Sequence, residues 1–287
     1  MNSSKENIVK YYNDAEIDYK ILWNLRKSKA MHYSFRDSHA RTFKQGLLRT
    51  NDKVIELCNI NPKSKVLDAG CGVGGSSVYI AQKTNCDMTG ITIVDSQTKK
   101  ATRFAKDCSV NVKFFTKDYT KTNFPSNSFD VIFAVESVCH AKSKKAFLKE
   151  SFRLLKSGGR LVIFDFFQSC NISELSIKEK AILSKWAGCW AIDSYEIPIN
   201  MINNASSIGF DNINYENVTK NILGASKKLN FWFFPAVPVD FIGRLFMVRN
   251  NTTRGNVYSA RYQYKALKKH LWEYGIFYAE KNDKHKI

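Results

Sequence analysis

The chain has 287 residues, and 44 Lys and Arg against 26 Asp and Glu give a formal net charge of +18. Hydrophobic residues make up 44% and aromatics 13%, which excludes global disorder and supports a sizeable core. The longest apolar run, 231–239, is too short to cross a bilayer, and residues 1–14 lack a secretory apolar stretch. The seven cysteines are scattered, with no CxxC pair, so neither a disulfide framework nor a zinc site is supported and a reduced, cytoplasmic compartment is expected. The charge is spread, at +4 over residues 1–60, +8 over 61–170 and +6 over 171–287. It admits nucleic acid, an anionic membrane or an anionic small molecule as partner, and equally a Lys-rich solvated surface.

In chain order, residues 15–28 and 38–58 read as amphipathic helices, with Phe43, Leu47, Val54 and Leu57 near helical spacing. Asn61-Pro62 then breaks the chain. Strands are expected at 65–69, 87–93, 112–115, 129–135 and 160–166. Helices alternate with them at 76–83, 96–108 and 144–155. Gly158-Gly159 is expected to stop the last of these helices. This alternation implies crossover units and a mostly parallel sheet of about seven strands with helices on both faces. After residue 170 the rhythm changes. Helices are expected at 177–190 and 199–208, a strand near 212–217, irregular aromatic chain over 224–258, a helix at 259–271 and a last strand at 275–280. Residues 1–60 would form a helical lid, 61–170 the binding core, and 171–287 the acceptor-pocket elements that complete the sheet, all as one catalytic domain.

The strongest signal is VLDAGCGVGG, from Val66 to Gly75, where a strand runs through glycines into a helix. Such a turn lets backbone approach a ligand beside an electropositive helix start. Gly70, Gly72 and Gly75 satisfy GxGxxG, so a nicotinamide dinucleotide has to be weighed. Asp68 decides the matter. A carboxylate two residues before the first glycine repels a pyrophosphate and holds a cationic group.

These residues resemble motif I of the Rossmann-like S-adenosylmethionine-dependent methyltransferases. GITIVDSQ (90–97), KDYT (117–120), FDVIFAVESVCHA (129–141) and LLKSGGRLVIFD (154–165) extend the resemblance in order. ESVCHA and MHYSF (31–35) are most similar to the sterol C-methyltransferases and their tocopherol and terpenoid relatives. The resemblance implies a Rossmann-like three-layer α/β sandwich with S-adenosyl-L-methionine as cofactor. It places Asp68, Gly70, Cys71 and Gly72 at the methionine end, Thr92 and Gln97 at the ribose with Asp95 as the competing choice, and Asp118 and Tyr119 at the adenine. An ordinary turn-forming aspartate is the alternative for Asp118.

Methyl transfer asks the protein mainly for proximity, orientation and electrostatics. The strand at 129–135 delivers Glu136 and then His140 to the carboxyl edge of the sheet, where such sites lie. Glu136 would stabilise a carbocation formed on an alkene. His140 would be the better base for a phenol or amine. Tyr33 and Phe35 would cover the cofactor from the lid. Trp186, Trp190, 231–234, Phe241 and Phe246 would line an apolar acceptor pocket, with core filling or a homodimer interface as the alternatives. The expected acceptor is a lipophilic small molecule, methylated at carbon. O- or N-methylation of a phenol or amine is the second reading, and RNA methylation a third with no appended module behind it.

Overall fold

The computed structural model describes residues 4–16, 18–19, 29–192 and 194–282. Most of the helix expected at 15–28 lies outside these residues. Helix α1 (Ser4–Asp14), which the sequence reading did not anticipate, precedes α2 (Phe43–Cys58). α2 starts five residues later than expected because Thr42 and Gln45 form a reciprocal capping box there.

Strands and helices then alternate: β1 (Lys65–Ala69), α3 (Gly75–Thr84), β2 (Asp87–Thr92), α4 (Asp95–Asp107), β3 (Val112–Thr116), β4 (Phe129–Val135), α5 (Lys144–Leu154) and β5 (Leu155–Gln168). The rest comprises α6 (Ile177–Cys189), α7 (Pro198–Ile208), β6 (Phe210–Asn217), α8 (Thr219–Leu245), α9 (Asn251–Lys268) and β7 (Trp272–Lys281). The seven strands form one sheet in the order β3-β2-β1-β4-β5-β7-β6. β1 to β5 pair in parallel, and β7 and β6 close the edge antiparallel. This is the expected Rossmann-like sandwich.

Both faces of the sheet are covered, so its strands read as near-continuous apolar runs. Alternate residues serve opposite cores. Val66, Val131 and Phe133 pack with Val54, Ile80 and Trp186. Leu67, Ile132 and Ala134 pack with Phe147, Leu148 and Met201 on the other side.

Two sequence expectations give way. Gly158-Gly159 do not end α5. They sit inside β5, where the register against β4 jumps from Leu155 to Arg160 and Gly158 adopts φ 72°. Residues 224–258 are not irregular, since α8 and α9 form a helical hairpin through them. Pro235 and Pro238 lie inside α8. Each removes one donor, but both prolines and the residues whose carbonyls they free, Phe231 and Phe234, are exposed, so water can satisfy those carbonyls.

β1 and β4 are neighbours from which the chain runs on in opposite directions, toward β2 and β3 or toward β5. Asp68 is the last residue but one of β1 and Glu136 follows β4, so both reach the carboxyl edge at the crevice where such folds bind ligands.

Candidate active site

The turn after β1 is built for close approach. Gly70, Gly72 and Gly74 have φ of 109°, 52° and 85°. A β-carbon on Gly70 would stand 2.3 Å from the Ser137 Cβ. Ser137 in turn donates to the Ala69 carbonyl at 2.6 Å, tying the β4 loop to the end of β1. Gly70→Ala should therefore push these loops apart and strain a left-handed backbone, at a cost of a few kcal/mol. Calorimetry should show S-adenosylhomocysteine binding lost together with a lowered melting temperature.

A cavity of about 570 Å³ opens above this turn. Gly70, Gly72, Thr92, Gln97 and Tyr119 line it, and Ile8 and Tyr12 of α1 roof it. Thr92 donates to Gln97 at 2.9 Å, so the two expected ribose residues stand together. Tyr119 turns its hydroxyl to the Ser137 carbonyl and leaves its ring edge-on to Phe147. Asp95 starts α4, is exposed and pairs with Lys99.

Asp68 and Cys71 line an adjoining recess of about 350 Å³ with Lys29, Gly70 and Gly72. Asp68 is 2% exposed. Among the described residues it accepts from Ser77 at 2.6 Å and forms no ion pair. Burial raises its carboxyl to about 7, against the opposing pull of the Ser77 hydroxyl. Lys29 of that lining sets its ammonium over the Phe104 ring at 5.0 Å and not on Asp68, so the buried carboxylate can receive a ligand's cation. Asp118 does not line the cavity as expected. It accepts from Thr120 and pairs with Lys5 of α1 at 2.5 Å, so here it holds the helix that roofs the cavity.

A second cavity, of about 640 Å³, shares Tyr12, Met31, Glu136 and His140 with the first. Tyr11, Tyr19, Tyr33, Phe166 and Trp190 give it an aromatic wall, and among the described residues neither Lys nor Arg lines it. Glu136 sits at the junction with φ 49°, a strained conformation for a non-glycine residue. Its Oε1 accepts from the Tyr33 backbone N–H at 2.7 Å and from the Tyr274 hydroxyl at 2.8 Å. Burial raises its carboxyl to about 8 despite both donors.

His140 lies in a short 3-10 turn (Val138–His140). Its Nδ1 is 3.0 Å from the Ala191 carbonyl. A carbonyl only accepts, so Nδ1 carries the proton, and in the neutral ring Nε2 accepts from the Tyr12 hydroxyl at 2.9 Å. Nε2 therefore reaches an acceptor through Tyr12. Tyr33 differs from expectation too. Its hydroxyl donates to Gln263 at 3.0 Å, and its ring walls the second cavity rather than covering the cofactor site. Phe35 is buried against Phe164.

Of the aromatic residues expected to form the pocket after residue 170, only Trp190 lines it, again among the described residues. Trp186 packs behind it against Phe166 and Trp272. Phe231, Trp232, Phe234 and Phe241 are exposed on α8, and Phe246 is exposed just after it. The sequence reading missed Tyr12, Tyr19 and Tyr274. The paired tyrosines of KYYND were the available signal for the first.

Residues 67–163 match the family profile described as a methyltransferase domain. That match covers the strands and helices from β1 to β5, and the sheet around them has the Rossmann-like fold. Phosphoethanolamine N-methyltransferase 1 of Arabidopsis thaliana is 35% identical over 136 residues, covering 46% of this chain and 28% of that protein. A sterol 24-C-methyltransferase of Neurospora crassa is 32% identical over 174 residues, 60% of this chain and 45% of that one. The chain thus spans less than half the length of these curated relatives. The solved structure of the [4+2]-cyclase SpnF superposes with a TM-score of 0.80 at 18% identity, over 98% of this chain and 97% of that one. That likeness concerns the fold, which does not name a reaction.

Proposed function

We propose that the chain is an S-adenosylmethionine-dependent methyltransferase that methylates carbon in a lipophilic, sterol- or terpenoid-like acceptor. The observation that carries this reading is the pair of cavities joined at Tyr12, Met31, Glu136 and His140, one at a glycine turn with the buried Asp68 carboxylate in the recess beside it, the other aromatic. The residues present fit the cofactor. Gly70 and Gly72 allow backbone approach, Asp68 would take the ammonium, Thr92 and Gln97 the ribose hydroxyls, and Tyr119 would flank the adenine. When bound, the cofactor would supply an electrophilic methyl group. Met31 and the tyrosine ring faces would position the acceptor and exclude water. Glu136 would stabilise positive charge arising on the acceptor carbon and accept the proton that is lost.

The rings of Tyr11, Tyr12, Tyr19, Tyr33, Phe166 and Trp190 around the second cavity support an acceptor with a large apolar surface. A phenol is the second reading, favoured by the Tyr12–His140 contact, which could pass its proton. A reduced, cytoplasmic compartment, contact with anionic membrane and a single catalytic domain belong to the same proposal.

Radiolabelled methyl transfer into total lipid and total RNA tests it. Label is expected in lipid, in a compound that keeps it on heating with hydriodic acid, which frees O- and N-methyl groups as methyl iodide and leaves C-methyl groups in place. Label confined to RNA, or label released as methyl iodide, overturns C-methylation of a lipid.

A further inference from the structure

The second half of α8 is inside out. From residue 231 to 245 its residues divide at 100° per residue into two arcs. The arc turned to the protein holds Asp240, which is buried and accepts from Arg249 Nε at 2.7 Å. The arc turned to solvent spans about 180° by the same geometry and carries no charged residue. Phe231, Phe234, Phe241, Ile242 and Leu245 are each 54% to 68% exposed there. The apolar surface runs on through the turn to Met247, 93% exposed, and Val248. Soluble surfaces seldom expose apolar patches of this extent without a partner for them.

The charge around the patch says what the partner is. Of the nine Lys and Arg between Thr219 and Lys268, Arg249 is held by the buried Asp240, the one acidic residue there, and by Asp18, and the other eight have no acidic residue of the hairpin to offset them. Arg261 stands over the Phe233 and Phe234 rings at 5.3 and 5.2 Å, at the margin of the patch. A second copy docked on the same face would bring two such basic hairpins together. An anionic lipid surface meets both features, taking the rings among its acyl chains and the cations among its headgroups. No described helix is long and apolar enough to cross a membrane.

We propose that the outer face of α8 and the turn after it form an in-plane docking surface for anionic lipid bilayers. The same hairpin supplies the buried Leu229, Asn256 and Ala260 to the second cavity, so the docking face and that cavity share one element of the fold. The docking argument rests on the surface alone and not on the proposed chemistry.

Vesicle sedimentation tests it, with phosphatidylcholine alone and with phosphatidylcholine containing phosphatidylglycerol. Wild-type protein should bind the anionic vesicles at least about tenfold better, with salt weakening the binding. Phe231→Ser, Phe241→Ser, Ile242→Ser and Leu245→Ser together should reduce binding at least about tenfold. S-adenosylhomocysteine affinity should not change, because these side chains line neither cavity. Should that variant fail to fold, Trp232, 44% exposed beside this face, gives a second readout in the wild type. Its emission should be quenched by brominated lipid, and Trp232→Phe should remove that quenching. Equal binding to neutral vesicles, undiminished binding by the folded variant, or a wild-type dimer that ignores vesicles and that the variant dissociates would each overturn the assignment.

Discussion

Asp68→Ala should abolish S-adenosylhomocysteine binding, weakening it by at least about 100-fold, while leaving the empty protein as stable as the wild type or more so. The two halves of this expectation have one cause. Asp68 is buried at the end of β1 with a hydroxyl for company and no described cation. An uncompensated buried carboxylate burdens the folded state, so removing it relieves the empty protein. The ammonium of the ligand would be the missing partner, and a buried charge pair deprived of one member loses several kcal/mol. A merely structural aspartate would behave the other way, with a lowered melting temperature and binding kept by the folded fraction.

Affinity should also depend on pH with a definite sign. The carboxyl of the empty site is raised to about 7, and the ammonium favours the ionised form. Binding therefore releases a proton below that value, and affinity should fall by up to about tenfold for each unit of acidification below pH 7. Asp68→Ala has no such slope. Titration calorimetry from pH 5.5 to 8 checks both statements, and binding that is flat with pH in the wild type would remove Asp68 from the ligand's charge.

The parts of this site that were legible in the sequence are those written in consecutive residues. VLDAGCGVGG encodes the strand, the left-handed turn and the helix start within ten positions, because glycine alone tolerates those φ values cheaply. Glu136 was legible because a buried seven-residue strand ends on it. What was hidden depends on contacts far apart in sequence. Tyr12 reaches His140 across 128 positions and Tyr274 reaches Glu136 across 138. No local pattern marks such residues. Tyr33 was found for its position, yet its hydroxyl belongs to Gln263, 230 residues away. The α8–α9 hairpin was misread for another reason. Two prolines and an aromatic run look like loop when helix propensity is taken alone, but an exposed helix face can leave carbonyls to water, and its packing against α9 supplies what propensity does not.

Glu136→Gln should lower kcat by about 100- to 10,000-fold and leave the fold and cofactor affinity nearly unchanged. Glutamine keeps an Oε1 that can accept from both Tyr33 N–H and Tyr274 hydroxyl, so the strained turn after β4 retains its two anchors. It differs in being unable to become negative or to take a proton. In the empty site the wild-type carboxyl, raised to about 8, is largely protonated at neutral pH, so glutamine resembles the resting state.

Positive charge arriving at the junction favours the carboxylate. At saturating cofactor, kcat/KM for the lipid acceptor should therefore rise with pH along a limb at or below about 8, and the variant should lack that limb. Stability gives a second sign. A carboxyl raised on folding contributes stability that is present below its ordinary range and is lost as pH rises through about 8. The variant should thus melt at a similar temperature near pH 5 and at a higher one than the wild type near pH 9. A kcat within threefold of wild type, with this melting pattern intact, would make Glu136 a structural anchor for the lid and pass the proton to the Tyr12–His140 pair. A loss of activity accompanied by lost cofactor binding would place Glu136 with Asp68 in holding the cofactor. A kcat lowered a hundredfold or more, with cofactor affinity intact and the rising limb gone, puts the charge of Glu136 where the two cavities meet.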